Sequence, residues 1–201
     1  MLRFESLLDF MGALLAPFLA ALLVASPADA SIVQALDLDD LVEQSDQILL
    51  GRVVFSESFQ RANGTLGTWH RIVVERDVRG GTSAEREVIV ETLGGRMGDV
   101  AMRVEGEPSF SIGERVLVFV REGGGYEAFR PVGMGQGVMR VRTEQGVETI
   151  SQTREGMMLM RRNAKGRLER SPGALPKKER LDAFLSRLRS IVEQKAGGAN
   201  E

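Results

Sequence analysis

The sequence predicts a mainly β protein: a small closed or partly open barrel, with a short helix before it and an amphipathic helix after it. Three observations carry this. Between Gln47 and Thr153 the apolar residues recur mostly with a period of two, the repeat of a strand that buries one face. The runs are short and broken by glycine-rich turns, the pattern of a sandwich or barrel. Full closure is the common way for a small sheet to avoid exposed edges, which favours the barrel.

The first thirty residues report an address. Met11 to Val24 is an uncharged apolar run, too short for a comfortable membrane span of about 20 residues. Ala28-Asp29-Ala30 follows, with the small-x-small form of a signal-peptidase site, and Arg3 supplies a thin positive n-region. The expected mature chain starts near Ser31, in the periplasm or outside the cell. About 170 residues then remain, enough for one domain with a core.

Leu36 to Ser45 reads as a helix. Asp37 is its N-cap, Asp39, Asp40 and Glu43 suit the positive end of the helix dipole, and Leu38, Leu41 and Val42 form one apolar face. Ile48 to Phe59 is the first barrel strand, with Phe55, Glu57 and Phe59 on one side. Asn63-Gly64 is a type I′ hairpin signal. Trp69 to Val78 places His70, Ile72, Val74 and Val78 on one face, and Gly80-Gly81 ends it. Val88 to Leu93 is the third strand, closed by Gly94-Gly95, and Met102 to Val104 is a weaker candidate. Arg115 to Arg121 is a continuous apolar run, turned by Gly123 to Gly125 into Tyr126 to Arg130. Val138 to Arg142 and Val147 to Thr153 make a last hairpin. Beyond it, 154–176 reads as a charged connecting loop with one Met-rich strand at Met157 to Met160. The final helix covers 177–195, with Leu181, Phe184, Leu185, Leu188, Ile191 and Val192 in one stripe, expected to cap the open end of the barrel. Residues 196–201 are a flexible tail.

The chain has 201 residues with 26 basic and 28 acidic side chains, one histidine and no cysteine. The near-neutral balance hides a split: Ser31 to Thr153 has no lysine and is acidic, whereas the stretch after it is basic. Absence of cysteine removes disulfides, thiol nucleophiles and Cys-ligated metals. One histidine cannot build a two-His metal site, and its parity with Ile72 and Val74 puts His70 on a buried strand face as a structural group. There is no G-x-S-x-G and no H-E-x-x-H. Gly133-Met134-Gly135-Gln136-Gly137 leads into a strand rather than a helix, so it is read as a tight crossing of backbones and not as a phosphate loop. Asp37, Asp39, Asp40 and Asp46 lack a calcium-loop frame and are explained by helix capping. No catalytic residue, metal or cofactor is expected. The Gly94 to Asp99 loop is the candidate for partner contact, through Arg96 and Asp99.

Leu41 to Val53 (LVEQSDQILLGRV), Val74-x-x-x-Val78-Arg79-Gly80 and Phe110-x-x-Gly113-Glu114-x-Val116-Leu117-x-Phe119 resemble an uncharacterised group of exported bacterial β-barrel proteins. The same outline is similar to netrin-like modules, the OB-type barrels of tissue metalloprotease inhibitors. The resemblance implies the barrel, covers roughly Leu36 to Arg142 and transfers no functional residue. Netrin-like inhibitors insert an N-terminal cysteine into a protease's metal site, and this chain has no cysteine.

The leading expectation is therefore an exported, non-enzymatic binding or interaction module whose partner is a protein or envelope component. One alternative is a hydrolase-type enzyme with a dispersed Asp/Glu site, marked by two buried carboxylates in one pocket. Another is an envelope protein that lies on an anionic membrane surface through Lys177, Lys178, Arg180, Arg187 and Arg189. Nucleic acid is not expected, because the barrel is acidic and the basic tail carries a single aromatic, Phe184. N-terminal sequencing of the native protein is expected to give Ser31 or a position within a few residues of it. Intact Met1 on a cytosolic protein would overturn the address.

Overall fold

The computed structural model describes residues 31–80, 86–123, 127–153, 156–171 and 178–198. The signal-peptide reading of 1–30, the turn at Gly124 to Tyr126, Gly81, Pro176, Lys177 and the tail from 199 lie outside the described residues.

Strand order establishes the architecture. β2 (Gln47–Gln60), β3 (Leu66–Asp77) and β4 (Arg86–Leu93) form an antiparallel meander. β7 (Arg115–Glu122) pairs with β2, and β8 (Phe129–Pro131) pairs with β7 antiparallel and with β4 in parallel. Taken in chain order, the five strands neighbour one another as 1-2-3-5-4 and close on 1. That is an OB-type barrel, closed and mainly β. The free half of the β7 edge carries β9 (Val138–Glu144), followed by β10 (Val147–Gln152) and the two-residue β13 (Glu179–Arg180). A separate sheet joins β1 (Ser31–Gln34), β11 (Met157–Arg162) and β12 (Leu168–Arg170), and β5 (Gly95–Met97) with β6 (Val100–Met102) forms a small hairpin.

Two cores result. Inside the barrel, Leu49, Val53, Ile72, Val74, Val88, Val90, Val116, Val118 and Val120 pack with Val138, Phe110 and Phe129. Outside it, Ile48, Leu50, Leu117, Phe119, Met139 and Ile150 meet Leu41 and Val42 of α1 (Leu38–Glu43) and Phe184, Leu185 and Leu188 of α2 (Leu181–Gly198). The run in β7 is continuous rather than alternating because the strand is covered on both faces. α2 thus lies against the outer wall and not over the barrel's end, and its stripe is buried within the protein.

At four places the local structure departs from what the sequence predicts. The cap of α1 is as expected: Asp37 Oδ1 accepts from the Asp40 N–H and Asp40 Oδ2 from the Asp37 N–H. The Asn63-Gly64 hairpin, however, is a type I turn followed by left-handed Gly64 (φ +84°), because the Asn63 carboxamide oxygen is engaged by the Thr65 N–H and hydroxyl, and Asn63 keeps a negative φ. Val78 belongs to the outer core: an extra residue between Val74 and Arg76, opposite the Gly51–Leu50 step, reverses the parity of β3. The Met102 to Val104 strand is instead the β5–β6 hairpin, which absorbs the Gly94 to Asp99 loop. Finally, the last helix begins at Leu181 rather than Lys177, since β10 draws Glu179 and Arg180 into its ladder, and it runs on through Gly197 and Gly198. The Gly133 to Gly137 run is the expected tight crossing: a Cβ on Gly137 would stand 2.3 Å from the Val132 carbonyl oxygen.

If α2 is a core element, Phe184→Ala is expected to lower stability by about 3–5 kcal/mol, the cost of truncating a buried aromatic. Arg189→Ala, on the exposed face, should leave the unfolding midpoint within about 0.5 kcal/mol of the parent in a denaturant titration.

Candidate functional site

A cavity of about 350 Å³ opens at one mouth of the barrel, walled by Ser56, Thr68, His70, Thr92 and the loop from Met102 to Phe110. A β-bulge makes it. Val53 faces the interior opposite Ile72, then one extra residue, Val54, shifts the register so that Ser56 stands opposite His70 and Ser58 opposite Thr68. The same barrel interior therefore changes from valine and isoleucine at its centre to hydroxyls at its mouth.

His70 is 4% exposed and held at both nitrogens, with Ser56 Oγ 2.8 Å from Nδ1 and Thr92 Oγ1 3.0 Å from Nε2. Whichever nitrogen carries the proton, one hydroxyl accepts from the ring and the other donates to it. Phe110 closes the remaining side, its ring centroid 4.6 Å from that of the imidazole. Burial pushes the pKa of His70 down to about 4. Farther out along the same strands, the Ser58 hydroxyl accepts from the Arg96 N–H and donates to Thr68 Oγ1, which donates to the Gly94 carbonyl. Only a glycine allows the hairpin to cross here, because a Cβ on Gly95 would stand 2.4 Å from both hydroxyl oxygens.

The Ser–His contact invites comparison with an acyl-transfer dyad. Such a base is normally oriented by a carboxylate that stabilises the imidazolium. Here the third group is the Thr92 hydroxyl, and among the described residues no carboxylate contacts the ring. With its pKa near 4, the imidazole is a weak base at neutral pH. The arrangement can donate and accept hydrogen bonds without carrying charge.

A second group of polar residues lies next to it. Glu91, 3% exposed, faces outward from β4 and is paired with Arg61 and, at 3.5 Å, with Arg130. Glu107, on the loop over the first cavity, accepts from the Leu93 N–H at 3.1 Å. Burial raises its pKa, against the opposing effects of that N–H, Arg130 and Arg61. Neither carboxylate was a candidate in the sequence. Glu91 occupies a solvent-side parity in β4; the meander brings Arg61 to it across β3, and the barrel's closure through β8 brings Arg130.

Arg96 and Asp99 lie on the exposed β5–β6 hairpin, Arg96 in its first strand and Asp99 at its tip, with Met97 and Val100 also exposed. Neither lines the cavity, although Gly94, Gly95 and Met102 of the same hairpin do. Of the expected surface cations, Lys178 pairs with Glu144, Arg180 with Asp182 at 2.8 Å and Arg187 with Glu179 at 2.6 Å. Among the described residues no group of three or more His, Cys, Asp or Glu side chains is placed to hold a metal ion. Compared with known proteins, the chain matches no family model and no curated protein.

The depressed pKa of His70 makes stability depend on pH. The unfolded chain takes up a proton near pH 6.5 and the folded chain only near 4, so this contribution is present above pH 6.5 and lost as pH falls towards 4. The loss is about 3 kcal/mol at most. His70→Gln should flatten the fall between pH 6.5 and 4 in urea titrations. A parent and variant with parallel curves would mean the imidazole is solvated.

Proposed function

We propose that this protein is an exported binding module and that its ligand site is the hydroxyl-lined mouth of the barrel. The observation that carries the reading is a cavity of about 350 Å³ whose deep wall is polar yet uncharged, built from Ser56, Thr68, Thr92 and a neutral His70, with Phe110 and Met102 as apolar surface. That volume lies in the range of small-molecule sites, about 300–1,000 Å³, and the mixture of apolar surface with a few convergent polar groups is typical of them. Export rests on the Met11 to Val24 run and the Ala28-Asp29-Ala30 motif.

A hydrolase is the second reading, favoured by one observation: Glu91 and Glu107 share a cavity, and burial raises the pKa of Glu107 while two guanidiniums hold Glu91. Carboxyl groups whose environments differ in this way can divide acid and base roles. Loss of a hydrolytic activity in Glu107→Gln, with folding retained, would favour this reading over the first.

His70 is the chain's single histidine, so its imidazole proton signals report on the cavity without ambiguity. Neutral small molecules fractionated from an envelope extract are expected to shift those signals in the NMR spectrum. The shift should weaken in Thr92→Val, which removes one hydroxyl at nearly constant volume. Ligands that bind the protein but leave the His70 signals in place would remove the barrel mouth as the site.

A further inference from the structure

The strands that close the barrel also set two arginines against each other. β7 and β8 pair with Arg121 directly opposite Arg130, on the outer face. Like charges facing each other across a ladder are destabilising. Across the other edge of β8, Val90 partners Phe129, which puts Glu91 beside Arg130. Glu91 already has two guanidiniums, Arg61 and Arg130. Arg121 has no carboxylate partner among the described residues. A cavity of about 200 Å³ lies between these groups, walled by Arg121, Arg130, Glu91 and Glu107. It adjoins the His70 cavity and shares only Leu93 and Glu107 with it.

We propose that Arg121 and Arg130 form a binding site for a single tetrahedral oxyanion group, a phosphate or a sulfate, held between the two guanidiniums. Guanidinium forks match the oxygens of such groups in a way an ammonium does not. The oxyanion also removes the cost of the cross-strand pair, turning two opposed cations into two partners of one anion. At about 200 Å³ the cavity is below the range of whole small-molecule sites, so it takes the charged head of a ligand and leaves the rest in solvent.

Glu107 sets the pH dependence of this site. The groups facing it are the Leu93 N–H, Arg61 and Arg130, with Glu91 and Arg121 across the cavity, and with His70 and the paired Arg103 and Glu105 lining the adjoining one. His70 stays neutral down to about pH 4. Burial raises the pKa of Glu107, so as the pH falls it loses its negative charge beside the bound anion earlier than an ordinary glutamate would. Sulfate keeps its own charge over this range and isolates the effect.

The experiment is calorimetric titration of the purified protein with sulfate and with inorganic phosphate, against potassium chloride at equal ionic strength. Saturable binding is expected with both, and sulfate is expected to bind more tightly as the pH is lowered from 7.5. Arg121→Ala should weaken it by about tenfold or more, since a hydrogen bond to a charged group is lost. Arg121 is exposed, so this variant is expected to fold, and Arg121→Gln gives a second test of the same position. Glu107→Gln should tighten sulfate binding at pH 7.5. Vesicles identify the source of the group. Retention on phosphatidylglycerol but not phosphatidylcholine, abolished by Arg121→Ala, assigns a lipid headgroup; free phosphate binding without retention assigns a soluble ligand. Heats equal to the chloride control, or affinity unchanged in both Arg121 variants, would overturn the site.

Discussion

Burial of β7 on both faces is the constraint on which the rest of the structure depends. Val116, Val118 and Val120 fill the barrel while Leu117 and Phe119 anchor the outer core. Its neighbour β2 likewise divides its apolar residues between the two, with Ile48 and Leu50 outside and Leu49 and Val53 inside. Its edges are equally committed: one is paired with β2, and the other is divided between β9 and β8. Without β7 the barrel has no closing strand, α1 and α2 lose the surface they share, and β9 and β10 have nothing to extend. A domain without disulfides is stabilised here by one strand that links two hydrophobic layers.

The same economy places the polar groups. Hydrophobic burial at about 25 cal/mol per Å² stabilises the barrel's centre, so its mouth can hold hydroxyls and an imidazole if each finds a partner. Ser56, Ser58, Thr68, His70 and Thr92 satisfy one another and the backbone. On the outer face, Glu91 is buried because Arg61 and Arg130 reach it from two sides. Leaving such a carboxylate without those partners would cost several kcal/mol. Neutral satisfaction inside and ionic satisfaction outside meet at Glu107, which lines both cavities.

Local physics made much of the fold legible in the sequence. The apolar face and cap of α1, the alternation in β3 and β4, the unbroken run of β7 and the stripe of α2 each follow from short-range chemistry. His70 was placed on the barrel's inner face by parity alone. What was not legible depends on distant partners. β1 is four residues long and half exposed, and it forms only because β11 lies alongside. β13 exists because β10 offers an edge. The inward turn of Ser56 and the outward turn of Val78 need bulges that no residue type announces. Arg121 and Arg130 read as ordinary solvated charges until the register sets them opposite each other.

The pairing of β1 with β11 also bears on how the chain reaches this state. Ser31 to Gln34 lie in register with Met157 to Met160, so the first described strand is completed by one of the last. Barrel closure has a similar demand, since β8 must return to β4 across the segment that holds β5, β6 and β7. Contacts of such long sequence separation slow folding, because loop entropy is lost before the contacts form. During synthesis the β2–β3–β4 meander can form early, but β1 must wait until most of the polypeptide has emerged. Acquisition of the native topology is therefore late and cooperative, and until then the unpaired edges of the nascent sheet are the surfaces most exposed to misassociation.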